Sequence, residues 1–227
     1  KEICDGSFNK TNIESLKLPK NLSYLNIDSL YKTPLKKITV ASGNETYSAK
    51  GGVLYNKKKT ILEYYPRYKE TKSFTIPKSV RRIRVNAVFG TKYLEKLIVS
   101  KNVRTIETNA FEQNKKLTTI TFKNSKALKI DEECFYNCKK LSKVNFSSKA
   151  KTTICMNAFA DCKKLKKVYL PKKVKIKDYG LGYTLAEYDT YLEDYFALEI
   201  KGFTIEGKKN SPAHKYAKKN KFKFIAV

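Results

Sequence analysis

Apolar and polar positions alternate in short runs along this chain, and the runs themselves recur. The segments Thr105 to Phe122, Lys129 to Phe146 and Thr153 to Leu170 align without gaps, with Phe111, Phe135 and Phe159 each 24 residues after the last. Leu117, Leu141 and Leu165 keep the same step. A fourth copy, Val80 to Val99, carries Ile83, Ala87, Phe89, Leu94, Leu97 and Val99 with one residue fewer in its turn. Leu22 to Val40 follows the pattern less closely through Leu25, Leu30, Leu35 and Ile38. A fixed period of this length predicts a repeat architecture.

Each copy reads as two parts. The stretch Leu117-Ile120-Phe122 and its equivalents predict a short strand with alternate residues turned inward. The stretch before it, I-x-x-x-A-F, predicts a second, bulkier turn packed behind that strand. One copy cannot bury such a face alone, so neighbouring copies must stack and share one core. Pro19, Pro77 and Pro171 follow or end strands, as a residue without an N–H does at a strand exit. Between the first repeats (1–45) and the regular ones (71–182), residues 46–70 break the period. There Gly51 to Tyr55 and Thr60 to Tyr64 flank the polar turn Asn56 to Lys59, which predicts an inserted β-hairpin. An acidic and aromatic insertion (183–201) precedes a terminal cap (202–227). In the cap, Phe203 to Ile205 predicts a strand, and Ser211-Pro212 an N-cap followed by proline at the first helical position. A short helix from Ala213 to about Lys219 and a strand through Phe222 and Phe224 complete it. The whole chain of 227 residues is expected to form one domain.

Composition narrows the function classes. The 41% hydrophobic fraction, with 16 Tyr and 12 Phe, supports a packed core. No apolar run approaches the ~20 residues that cross a bilayer, so membrane insertion is not expected. The chain starts at Lys1 and its only methionine is Met156. It is therefore expected to be a processed or trimmed piece of a longer protein, with any secretion signal or anchor outside it. Net charge is +27, from 48 Lys and Arg against 21 Asp and Glu. Only Arg67, Arg81, Arg82, Arg84 and Arg104 are arginines. Base-reading proteins rely on arginine's bidentate fork, so specific nucleic-acid binding is not expected. What the lysine excess does predict is salt-sensitive attraction to polyanions.

The motif I-x-x-x-A-F-x-x-C-x-x-L-x-x-[VI]-x-[FL], nearly whole at Ile154, Ala158, Phe159, Cys162, Leu165, Val168 and Leu170, resembles the BspA-type leucine-rich repeat of bacterial and some protist surface proteins. The hairpin GGVLYNKKKTILEYYP with the following FTIPKSV, and the ending FTIEGKKNSPAHKYAKKNKFKF, resemble segments of the same family. Departures are Cys134 before Phe135, where the motif has alanine, and the long segment after Gly182. The resemblance implies an α/β, right-handed leucine-rich-repeat solenoid with a parallel sheet, the inserted hairpin and a strand–helix–strand cap. It also implies a non-enzymatic recognition or adhesion module, extracellular or at the cell surface, whose partner is a protein or a glycan, anionic ones included. No cofactor or metal is expected.

Two surfaces are candidates for binding. The outward strand residues Lys37 and Thr39, Lys96 and Ile98, Thr119 and Thr121, Lys143 and Asn145, and Lys167 and Tyr169 should line one face of the sheet. Thr and Tyr suit exposed strands for β-propensity alone, so their presence is not by itself a site. The second surface is a ridge of Lys92, Lys115, Lys116, Lys139, Lys140, Lys163 and Lys164, which stacking should place along one edge. Like charges ~4–5 Å apart repel by ~1 kcal/mol even in bulk water, so the lysines either splay into solvent or meet a polyanion. Splayed lysines are the ordinary state of such a run. Two other readings remain open: a spacer that binds nothing, and a pure polyanion binder for teichoic acid or a sulfated glycan.

Catalytic constellations are not apparent. The single histidine, His214, is expected as a solvated group on the cap helix, and no nucleophile elbow or phosphate-cradling loop is present. Glu187, Asp189, Glu193, Asp194 and Glu199 cluster among aromatics but match no EF-hand loop, and are expected to be a solvated insertion. Cys138 and Cys162 share a repeat position and should lie near each other. They are either disulfide-bonded or, as the odd total of five cysteines favours, buried as small hydrophobes. Asn9, Asn21, Asn44 and Asn145 begin sequons that matter only in a eukaryotic secretory pathway.

Overall fold

The computed structural model of the protein describes residues 1–8, 11–189 and 194–227. The chain winds into a solenoid with two long sheets. Seven strands form the front sheet: Ser73–Thr75, Lys96–Val99, Thr119–Phe122, Lys143–Asn145, Lys167–Tyr169, Thr204–Gly207 and Lys223–Ala226, all parallel. The four from Lys96–Val99 to Lys167–Tyr169 are the strands expected from the leucine motif; the cap strands extend them at one end, and Ser73–Thr75, which the motif does not mark, at the other. Ser211 caps the helix Pro212–Lys219 by accepting the His214 N–H at 3.4 Å.

Behind the front sheet lies a second one of eight strands. Its repeat strands are only two or three residues long, such as Thr105–Ile106 and Leu128–Ile130. The "bulkier turn" thus opens on a strand of its own, with the isoleucines Ile83, Ile106, Ile130 and Ile154 fully buried. The segment 46–70 is more than a hairpin set into the array. Strands Tyr47–Lys50, Val53–Asn56 and Ile61–Tyr64 form an antiparallel meander, and Ile61–Tyr64 pairs parallel with Arg82–Ile83. The meander is therefore the edge of the back sheet.

Between the sheets run stacked aromatic ladders. Phe111 stacks on Phe135 and Phe135 on Phe159, with centroids 5.1 and 5.0 Å apart, and Phe122 stacks on Phe146 at 5.0 Å. Edge-to-face contacts at 6.2 and 6.4 Å join the two ladders. In the Val80 copy the ladder position falls to Val88, not Phe89. Val88 N–H donates to Ala110 O as Phe111 N–H does to Cys134 O, and Val88 is fully buried while Phe89 is half-buried and turned outward. The missing residue lies after the strand, since Leu94 precedes Ile106 by 12 residues where Leu117 precedes Ile130 by 13.

Two residues per coil adopt left-handed backbone. Asn86, Asn109, Glu133 and Asn157 form one series, and Gly90, Gln113, Asn137 and Asp161 the other, with φ between 52° and 57°. Asn and Asp tolerate this region better than other side chains. The first repeats pack a separate core of Leu18, Leu22, Leu25, Leu30, Leu35 and Ile38, to which the meander adds Leu54 and Tyr64. Past Gly182, strands Tyr183–Asp189 and Asp194–Glu199 pair antiparallel. Of the expected acidic cluster, Glu193 lies outside the described residues, as does Asn9, and the description of Glu187, Asp189 and Asp194 extends to their backbone alone.

Candidate functional site

Register turns the front sheet's outward side chains into two rows. One runs through Ser73, Lys96, Thr119 and Lys143, then Lys167, Thr204 and Lys223. The other runs through Thr75, Ile98, Thr121, Asn145, Tyr169, Glu206 and Ile225. Eight of the ten expected sheet residues therefore share one surface. Lys37 and Thr39 do not join it by hydrogen bonding: their strand, Lys37–Val40, pairs with Ser15–Leu18 in a separate two-stranded sheet. The Ile38 N–H donates instead to Gly52 O at 2.9 Å, so the meander's tight turn interrupts the row.

This surface is polar. Lys96, Lys143 and Lys167 are exposed, whereas Ile98, Thr119, Thr121 and Asn145 are half-buried between their neighbours. Tyr169, 41% exposed, is the one large hydrophobic side chain prominent on it among the described residues. Asn145 donates to the Thr121 hydroxyl at 3.2 Å, and Lys167 reaches Glu206 at 2.9 Å.

All seven ridge lysines are exposed, at equivalent turns of successive coils. Aromatic rings relieve its N-terminal end: the Lys92 ammonium lies 5.6 Å from the Tyr68 ring centre and that of Lys116 lies 5.4 Å from Tyr93. Lys163 approaches Asp161 at 4.0 Å.

A third feature is a cleft of about 340 Å³ where the N-terminal 3₁₀ turn Ile27–Leu30 meets the turns of the next coils. Tyr31, Tyr64, Phe89, Arg67, Asp28 and Glu112 are among its lining residues. A shallower groove bearing Arg82, Arg84, Val85 and Glu107 adjoins it, sharing Ile27, Asp28 and Asn86. Arg84 bridges the buried Glu63 at 3.1 Å, and Arg82 bridges Glu107 at 3.3 Å. Burial pushes the Glu63 carboxyl above its ordinary range, with Arg84 and Arg82 opposing. None of the sequence signals pointed to this cleft.

Six copies of the pattern described as a BspA-type leucine-rich-repeat region match residues 1–53 and 59–184. The chain belongs to this family. Among solved structures, it is similar to the pneumococcal vaccine antigen PcpA, at 24% identity and TM-score 0.64, over 95% of this chain and 56% of that one. It is similar to a leucine-rich-repeat protein of Eubacterium ventriosum at 26% identity and TM-score 0.50, covering 84% and 64% of the two chains. A leucine-rich cell surface protein of Faecalibacterium prausnitzii shares 23% identity at TM-score 0.53, covering 88% and 43%. The chain thus spans between 43% and 64% of the length of these three proteins. No protein of curated function matches it.

In this BspA-type solenoid the motif cysteines are free thiols. Cys138 and Cys162 are fully buried, and each S–H donates to the carbonyl of the preceding coil's phenylalanine, Phe111 and Phe135, at 3.3 Å. Burial holds the Cys162 thiol well above its ordinary value. Asn114 occupies the same motif position one coil earlier and Thr91 the one before, so the BspA cysteine column is a column of turn-bridging groups. His214 is not simply solvated: half-buried, it stacks on Phe224 at 4.4 Å and its Nδ1 accepts the Asn210 N–H at 3.1 Å. No helix among the described residues is long and apolar enough to cross a membrane.

Proposed function

We propose that this chain is a non-enzymatic recognition or adhesion module, secreted or held at a cell surface, that binds an extracellular protein or glycan through its front sheet. The observation carrying this reading is the pair of outward rows, which align Lys96, Thr119, Lys143 and Lys167 beside Ile98, Thr121, Asn145 and Tyr169. Repeat folds bind over such extended surfaces because successive coils present equivalent positions at fixed spacing. With Tyr169 as its one prominent aromatic, the surface suits a polar, wet contact more than a dry hydrophobic one. The cell-surface description of the F. prausnitzii protein supports display outside the cell.

The lysine ridge favours a second reading, attraction to a polyanion such as teichoic acid or a sulfated glycan. Screening against extracellular-matrix proteins and a glycan array, at low and near-physiological salt, separates the two. One variant changes Lys115, Lys116, Lys139, Lys140, Lys163 and Lys164 to Gln, and another changes Thr121 and Tyr169 to Ala. Binding through the sheet survives salt and the Gln variant but falls in the Ala variant. Polyanion binding falls steeply with salt and with the Gln variant. A folded sample that binds nothing is a spacer.

A further inference from the structure

We infer that the cleft between the N-terminal 3₁₀ turn and the turns of the next two coils binds a neutral pyranose unit of a glycan. None of its lining residues belongs to a front-sheet strand, so the site stands apart from the surface proposed above. Its volume of about 340 Å³ is at the small end for ligand pockets, suited to a ring-sized group.

The chemistry of the walls sets the class of ligand. Tyr31 and Phe89 meet edge-to-face at 5.1 Å and offer aromatic surface for the C–H face of a sugar ring. Hydroxyl groups need donors and acceptors together. Arg67 supplies donors, and the carboxylates of Asp28 and Glu112 supply acceptors. An anionic ligand meets the two carboxylates, a cationic one meets Arg67, and a purely apolar one strands all three. A neutral polyhydroxyl ligand satisfies each of them.

Arg67 is held ready. Its Nε donates to Gly90 O at 2.9 Å, its Nη1 to Tyr31 O at 3.4 Å, and its guanidinium lies 5.1 Å from the Tyr31 ring centre. It takes part in none of the ion pairs among the described residues. Gly90 makes this possible. Its counterparts Gln113, Asn137 and Asp161 adopt the same φ of 57° with side chains present, so the backbone alone does not demand glycine. A Cβ at Gly90, however, would sit 3.3–3.4 Å from three guanidinium atoms of Arg67. Phe89 departs from the repeat in the same place, where the other coils carry Glu112, Tyr136 and Ala160. Glu112 adds a different kind of support. It is 9% exposed, bonded to the neighbouring Gln113 amide at 2.9 Å, and burial raises its carboxyl above the ordinary range. An acid kept where it costs stability is a mark of a working site.

Methyl glycosides of glucose, galactose, mannose and N-acetylglucosamine, titrated by saturation-transfer NMR against the whole chain, test this directly. At least one should bind, with affinity unchanged between about 0.05 and about 0.5 M salt because no net charge is matched. Tyr31→Ala should weaken it at least tenfold, about 1.4 kcal/mol; Tyr31 is 39% exposed, so its loss opens no core. Gly90→Asn keeps a residue that tolerates the backbone, as Asn137 does, but displaces Arg67, and should abolish binding with the melting temperature held. Thr121→Ala with Tyr169→Ala on the sheet should leave it untouched. Failure of all four glycosides to bind overturns the inference, as does binding that persists in both cleft variants. So does binding that vanishes with the sheet variant, which would return the glycan to the front face.

Discussion

Asn114 should contribute more to the stability of the stacked coils than either cysteine in its column. Its Oδ1 accepts the Thr91 N–H at 3.0 Å and also the Thr91 hydroxyl. Its Nδ2 donates to Val88 O at 2.8 Å and to Phe111 O at 2.7 Å. The side chain is fully buried, so water cannot replace any of these bonds. Asn114→Ala strands two donors of Thr91 and the Val88 carbonyl, while Phe111 O keeps the Cys138 thiol at 3.3 Å. Three unsatisfied buried groups at about 1–2 kcal/mol each give a loss of about 3–6 kcal/mol. Asn114→Cys restores one weak S–H donor, of the kind Cys138 directs at Phe111, and should lose about 1 kcal/mol less. Cys138→Ala removes a single weak bond and a small volume, for about 1–2 kcal/mol. Urea denaturation followed by circular dichroism, with m-values compared to confirm like transitions, measures all three. An Asn114→Ala loss no larger than that of Cys138→Ala would refute the bridging role.

Three further outcomes follow from the packing. Phe135→Ala, at the centre of the three-ring ladder, should cost about 3–5 kcal/mol in the same denaturation assay, since it breaks two stacks and an edge contact at a fully buried site; a loss under 2 kcal/mol would mean the coils close over the gap. Alkylation under native conditions should modify exposed Cys4 rapidly and Cys134, Cys138 and Cys162 only on unfolding, because these three are buried and burial raises the Cys134 and Cys162 thiols. Five thiols should titrate in denaturant without reductant, and a count of three would reveal a disulfide. Glu112→Gln tests the buried carboxyl through pH: a folded-state value raised above 4.5 gives stability that is full below 4.5 and is lost as pH rises through the folded value. The Gln variant should therefore be the more stable form at pH 7, with the difference closing near pH 4, and a constant difference across pH would contradict the reading.

Much of the solenoid is legible in the sequence because its signals are local and repeated. Leu117, Leu141 and Leu165 mark the front strands, and Ser211-Pro212 marks the cap helix, through side chains that act within a few residues of themselves. The back sheet is hidden, because strands as short as Thr105–Ile106 leave one buried residue each and no alternation to read. Val88 and Phe89 are indistinguishable as a hydrophobic pair; stacking decides between them, and only the coil register of Ala110 and Cys134 reveals which turns inward. The meander looks like an insertion because its contribution to the back sheet, Ile61 against Arg82, joins residues 21 apart. The cleft is further from view, since Arg67 and Tyr31 meet across 36 residues. One mark was available: Gly90 interrupts a turn position that other coils fill with Gln, Asn and Asp.

The three surfaces differ in what they can discriminate. Coil stacking of about 5 Å, set by the Phe111, Phe135 and Phe159 ladder, brings ridge lysines of successive coils within the range of mutual repulsion. The ridge answers with solvation, with the Tyr68 and Tyr93 rings and with Asp161, so any polyanion it attracts is read as charge density and not as shape. The sheet rows add spacing, with Lys96, Lys143 and Lys167 separated by Thr119 or stepping directly to the next coil, and they reward a partner long enough to cross several strands. Only the cleft fixes a charged group by three contacts before anything arrives. Repetition builds the extended faces, and the departures from it, Tyr31, Arg67, Phe89 and Gly90, build the place where a single small unit can be told from another.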